Sequence, residues 1–320
     1  MVEAIAMAHG WEMQHDESVV VIGQDVGANG GVFRATQGLQ ERFGKDRVQD
    51  TPLAEAAIAG MSVGMATHGL KPVAEIQFMG FLYPALDQIV NHMSRMRNRT
   101  RGRLTCPVVM RMPHGGGIHA PEHHSESTET MLCHIPGVRV VCPSSPARAY
   151  GLLLAAIRDP DPVMFLEPVR LYRAVRQEVV DDGQALPLDT SFVLREGADV
   201  TLISWGAMTV ETLRAANELQ ALGISAEVID LATISPIDEE TILNSVSKTG
   251  RLVIVHEAAR NVGVGAEIAA LVAEHALFDL LAPVRRVAGY DTVGPLYKLE
   301  HDYIPSVQRI VDAARESFTT

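Results

Sequence analysis

The feature that most constrains this chain is an alternation. Short, continuous apolar runs of strand length are separated by longer alanine-rich stretches with helical spacing. Ser18 to Gly23, Val73 to Phe78, Val108 to Met112, Val138 to Cys142 and Val163 to Glu167 are the first set of runs. Between them, Leu53 to His68 and Ala147 to Arg158 read as helices. Unbroken apolar strands separated by helices indicate parallel strands buried on both faces. Gln177 to Thr190 then interrupts the pattern with an acidic, turn-rich stretch that reads as a surface connection. A second set follows, with strands at Asp199 to Trp205, Ser225 to Leu231, Leu252 to Val255 and Val284 to Ala288. Helices fit Thr209 to Leu222, Asp238 to Ser247 and Ala266 to His275. The expected fold is α/β, with two doubly wound, mainly parallel domains over 1–185 and 190–320.

Composition narrows the function. A formal charge of −12 without a basic stripe argues against nucleic-acid binding. The chain has no apolar stretch of membrane length. Met1 to Trp11 reads as an amphipathic helix, without the basic region and cleavage site of a secretory signal. Cys106, Cys133 and Cys142 are odd in number and not in metal spacing, as expected of reduced core thiols.

Three short patterns invite chemistry that their contexts do not favour. Gly60-Met61-Ser62-Val63-Gly64 has the spacing of a hydrolase nucleophile elbow, but lies inside a helical run instead of a strand-turn-helix. His119-Ala120-Pro121-Glu122-His123 has the spacing of an inverted zinc-protease motif, which needs a helix that Pro121 and three preceding glycines oppose. Gly263-Val264-Gly265 opens a helix after a strand, but the third glycine of a dinucleotide fingerprint is replaced by Ile268.

Three other segments fall where a doubly wound sheet binds ligands, in loops after strands. In Asp50 to Glu55, Thr51 is placed to cap a helix, Pro52 fits its first turn, and Glu55 lies in that turn. An acid there also simply suits the helix dipole. The second segment is Glu75 to Phe81. The third, His114 to Ser127, combines three glycines with four histidines, the side chain that titrates near neutral pH.

Read in order, DTPLAEAAIAG, EIQFMGFLYPALDQIVN and RMPHGGGIHAPEHHSES resemble the beta subunits of thiamine-diphosphate-dependent 2-oxo acid dehydrogenases. The resemblance continues through GLLLAAIRDPDPVMFLEPVRLYR, VIDLATISPID and VIVHEAARNVGVGAEIA, nearly the whole chain. It implies a transketolase-like pyrimidine-binding domain followed by a transketolase C-terminal-like domain. It makes Glu55 the acid that exchanges a proton with the cofactor's aminopyrimidine ring, and it places Leu53, Gln77 and Phe81 around that ring. It makes His124 an active-site group in acyl transfer to lipoamide. It places a structural potassium ion at Asp159 and Asp161 with main-chain oxygens near Val108, Val109 and Ala156. Gln24 and Ala232 depart from the common glutamate and arginine of relatives.

Thiamine enzymes hold the diphosphate through magnesium on a Gly-Asp-Gly motif, and this sequence has no Gly-Asp dipeptide. The resemblance therefore implies an alpha subunit that holds the magnesium, an α2β2 heterotetramer, and a dihydrolipoamide acyltransferase core docked on the second domain. The expected setting is a bacterial cytoplasm. Pyruvate is the expected 2-oxo acid, with a branched-chain 2-oxo acid as the alternative. A self-sufficient transketolase-like enzyme, a non-catalytic docking subunit and a zinc hydrolase are the other readings.

Overall fold

The computed structural model describes residues 1–294 and 296–319. The first sheet has seven strands: β1 (Val19–Gly23), β2 (Val48–Asp50), β3 (Lys71–Glu75), β4 (Val109–His114), β5 (Arg139–Val141), β6 (Val163–Pro168) and, from much later in the chain, β10 (Thr233–Ser235). The second has five: β7 (Phe192–Arg195), β8 (Val200–Ser204), β9 (Ala226–Asp230), β11 (Leu252–Ala259) and β12 (Arg285–Gly289). Their orders are β10-β5-β6-β4-β3-β1-β2 and β12-β11-β8-β9-β7. All pairings are parallel except at β10 and β7, each antiparallel at one edge.

The longer helices are α1 (Val2–His15), α2 (Glu55–Thr67), α3 (Pro146–Arg158), α4 (Met208–Ala221), α5 (Glu239–Thr249), α6 (Val264–His275) and α7 (Val307–Glu316). Local chemistry sets several ends. Ser145 caps α3 by accepting from the Arg148 amide, with Pro146 at the first position. Asp238 caps α5 in the same way, and Gly250 ends it in the left-handed region.

The inner strands β1, β4 and β6 of the first sheet are buried along their whole length, as their unbroken apolar runs require. On one face Val19, Val21, Val73, Val109, Val163 and Phe165 pack with α1 and α3. On the other, Ile22, Ala74, Met110, Met112, Met164 and Leu166 share a single core with Trp205, Ile229, Leu231, Ile254 and Ile268 of the second domain. The two sheets therefore meet through continuous apolar packing. Pairing crosses the boundary as well: Thr233 and Ser235 lie against Val141 and Val140. No helix among the described residues is long and apolar enough to cross a membrane.

Two expected boundaries shift. β3 ends at Glu75 instead of Phe78, because the chain turns into two short 3₁₀ segments, Met79–Phe81 and Tyr83–Ala85. Helix α2 begins at Glu55 instead of Leu53, with Ala54 as its uncapped N-cap. Thr51 is not the cap. Its amide donates to the Gly23 carbonyl, prolonging the strand, and Pro52 keeps the residue before it extended.

Candidate active site

Glu55 is the first residue of α2, where the free amides of the opening turn favour an acid. Its side chain is half-buried and makes no hydrogen bond among the described residues. Beside it Leu53 is 72% exposed, a large apolar side chain left in the open. The buried Thr51 hydroxyl has no partner either. Ser62 sits in mid-helix and donates to the Ile58 carbonyl at 2.8 Å, so Gly60 to Gly64 forms no elbow.

Helix α2 packs against the Tyr83–Ala85 turn that follows Phe81. Just before it, Gln77 donates to Asp25 Oδ2 at 3.3 Å. Phe78, Phe81 and His124 form an aromatic cluster. The His124 ring meets Phe78 edge-on at 4.4 Å and Phe81 at 5.2 Å between centroids. Gly80 makes this approach possible: a Cβ there would lie 2.2 Å from the His123 carbonyl oxygen. His124 Nδ1 is buried and has no partner. Phe81 and His124 are thus brought together on one side, and Glu55 opens the adjoining helix, with Leu53 in the bend just before it.

The segment around His124 is a short 3₁₀ turn, Glu122–His124, after Pro121. His119 has φ +58°, so His119 and His123 do not share the helical face that a zinc-protease motif needs. The loop closes on itself through the Gly115 amide and the Glu126 carbonyl, 2.9 Å apart. At its root, His114 Nε2 lies 3.1 Å from Glu129 Oε2, and Trp205 Nε1 donates to the other oxygen at 3.3 Å. Burial opposes a charged ring at His114, yet Glu129 outweighs it and holds His114 above the ordinary histidine value.

Residues 1–175 match the transketolase pyrimidine-binding domain and residues 190–310 the transketolase C-terminal domain. The chain is 52% identical over 316 residues to the pyruvate dehydrogenase E1 component subunit beta of Acholeplasma laidlawii, covering 99% of this chain and 97% of that one. It is 49% identical over the same length, with the same coverage, to the subunit of that name from Bacillus subtilis. This chain belongs to the E1 beta-subunit family. Among solved structures, a split-gene transketolase described as an inactive beta4 tetramer superposes with a TM-score of 0.80 at 25% identity, covering 99% of this chain and 97% of that one. Membership of this transketolase-like family implies dependence on thiamine diphosphate and a complementary alpha subunit.

Within this E1 beta chain, Asp159 and Asp161 already have cationic partners. Asp161 accepts from Arg97 Nε at 2.8 and 3.1 Å, and Asp159 Oδ1 accepts from Arg139 at 3.2 Å and from the Asp161 amide at 2.8 Å. The Val108 carbonyl accepts from the Val163 amide. Among the described residues no group of three His, Cys, Asp or Glu side chains is placed to hold a metal.

The sequence reading missed a buried ionic cluster under the site. Register places Glu75 beside Arg111 on adjacent strands, with Glu167 one strand further on β6. Arg111 is 1% exposed and donates to Glu167 at 2.7 and 2.6 Å and, closely, to Glu75. The Tyr172 hydroxyl also donates to Glu167. Burial holds Glu75 above the ordinary glutamate value despite Arg111. Burial and the Arg111 charge push the neighbouring His9 down to about 3, so it is neutral. Charged residues interrupting otherwise apolar strands were the available signal. Glycines 263 and 265 also gain a reason: a Cβ at Gly265 would lie 2.8 Å from Nε2 of the buried His256.

Proposed function

We propose that this chain, joined to an alpha subunit in an α2β2 assembly, carries out thiamine-diphosphate-dependent decarboxylation of pyruvate and passes the acyl group to lipoamide. The observation that carries the reading is full-length identity near one half to subunits named for pyruvate dehydrogenase. The geometry supports it. A helix-opening glutamate with no internal partner, an exposed leucine, and unpartnered buried atoms on Thr51 and His124 are what one half of a shared site leaves open. The other half, a magnesium-bound diphosphate, has no motif in this sequence and falls to the alpha subunit.

When bound, thiamine diphosphate supplies the nucleophilic carbon and the electron sink for loss of carbon dioxide. Glu55 exchanges a proton with a ring nitrogen of the aminopyrimidine, a task for a carboxyl group positioned by a rigid helix start. Leu53, Gln77 and Phe81 line that ring, and Phe81 holds His124 in turn. His124 moves a proton as the acyl group leaves for lipoamide. The second domain carries contacts to the acyltransferase core. A potassium ion held by main-chain oxygens near Val108 and Ala156 completes the proposal as a structural element.

In the reconstituted assembly, Glu55→Gln is expected to lower turnover by roughly 10²-fold or more, the scale of acid–base groups. Near-normal turnover would sink the assignment. Comparing kcat/KM for pyruvate with that for branched-chain 2-oxo acids tests the substrate, and a branched-chain preference would overturn that part.

A further inference from the structure

The second domain grips the histidine loop by its main chain. Glu257 on β11 is 6% exposed and accepts from the Gly116 amide, with its other oxygen 3.8 Å from Arg170 Nη2. Glu300, 4% exposed, opens the helical turn Glu300–Tyr303. It accepts from the Gly117 amide at 2.6 Å and the His119 amide at 3.1 Å. Its carboxylate also lies 3.5 Å from the His119 ring. Buried carboxylates are costly unless their lone pairs are satisfied, and bonds to N–H groups satisfy them with fixed direction.

We propose that Glu257 and Glu300 are positioning residues for His124, so that the second domain sets the shape of the catalytic loop. Gly115, Gly116 and Gly117 have no side chains with which to pack, so carboxylate-to-amide bonds fix this limb. Gly117 has φ +95°, and a Cβ on it would lie 2.6 Å from Arg170 Cδ, so the close approach admits only glycine. From His119 the chain reaches His124 through Pro121 and a 3₁₀ turn closed by the His124 amide on the Pro121 carbonyl. The return limb is tied to Gly115 through Glu126. The loop is a closed ring, fastened on one limb by the second domain and resting on Phe78 and Phe81 by the other. This inference rests on the assignment of His124 given above.

The test uses the full alpha–beta assembly carrying E257A, E300A, both together, and the corresponding glutamine changes. In the double alanine variant, amide hydrogen exchange of residues 114–127 should rise about tenfold or more, while β8 and β9 keep wild-type protection. Turnover should fall about tenfold with KM for the 2-oxo acid within about twofold, the result of misplacing a group without losing binding. The glutamine variants keep an oxygen that accepts, so they should fall between, and they serve where alanine prevents folding. His124→Ala is the control. If it leaves turnover intact, the reading of the site fails. If it impairs turnover while the E257A/E300A assembly keeps wild-type exchange or wild-type kcat, the clamp is overturned.

Discussion

Arg111→Met takes the positive charge out from between Glu75 and Glu167. Methionine is close to the aliphatic length of arginine, so little packing is lost and the electrostatic effect dominates. All three charged groups are at most 4% exposed. Removing one partner of a buried ion pair costs about 3–5 kcal/mol, because a charge is left uncompensated. Here two carboxylates lose their common partner, so a loss near the upper end of that range is expected. At about 2.1 cal/mol/K of unfolding entropy per residue, a 320-residue chain shifts by about 1.5 °C per kcal/mol, so the thermal midpoint should fall by roughly 6–8 °C. The pH dependence carries a sign. Burial already raises Glu75, so the native state holds its proton more tightly than the unfolded chain does. Stability from such a group is present below the unfolded value and is lost as pH rises through the native one. Without Arg111 that trend steepens, so the variant should lose less at about pH 5 than at about pH 8. Thermal unfolding followed by circular dichroism at both values reads this directly. Adding Glu75→Gln and Glu167→Gln should recover most of the loss. A loss under about 1 kcal/mol near pH 8, or a larger loss near pH 5, would refute the reasoning.

Gly80→Ala should lower turnover about tenfold or more, because the His123 carbonyl must move and carries His124 with it; unchanged kcat would show that the loop tolerates the shift. Asp230 is buried and pushed up to about 6 by that burial, against Ser144 and Arg148. Its native state keeps a proton from the ordinary aspartate range up to that value, so its contribution to stability declines as pH rises through about 6. Asp230→Asn should flatten the thermal midpoint between about pH 4 and 7, and an unchanged slope there would contradict the assignment. Calorimetry of this chain without its alpha subunit should show only weak binding of thiamine diphosphate and magnesium; tight binding would contradict a shared site.

The inner parallel strands were legible because burial on both faces writes an unbroken apolar run, whereas the short parallel edge strand β2, Val-Gln-Asp, writes none. The two antiparallel edges were not. β10 is three residues long, and β7 is partly exposed with a mixed pattern, so neither writes a strand signature. The start of α2 was misjudged because Thr51 looks like a cap in isolation, and only the pairing of its amide with Gly23 shows that it ends a strand. The density of glycine and histidine marked the loop at His114 as special. Its reason lay out of reach, since Glu257 and Glu300 are far along the chain and nothing local points to them. Arg111 was visible as a charge in an apolar run, but its partners depend on register across three strands.

Strand β10 makes the order of synthesis matter. The first sheet cannot be finished by the first domain's own residues, because its last strand emerges only after most of the second domain's β8 and β9 have been made. Until then β5, with its Val140 and Val141, presents an open edge of the kind that templates self-association. A fragment cut within 177–190 would keep that edge permanently. It should therefore be sticky even though every helix of its own is present, because the strand that covers the edge lies well beyond the apparent border between the domains.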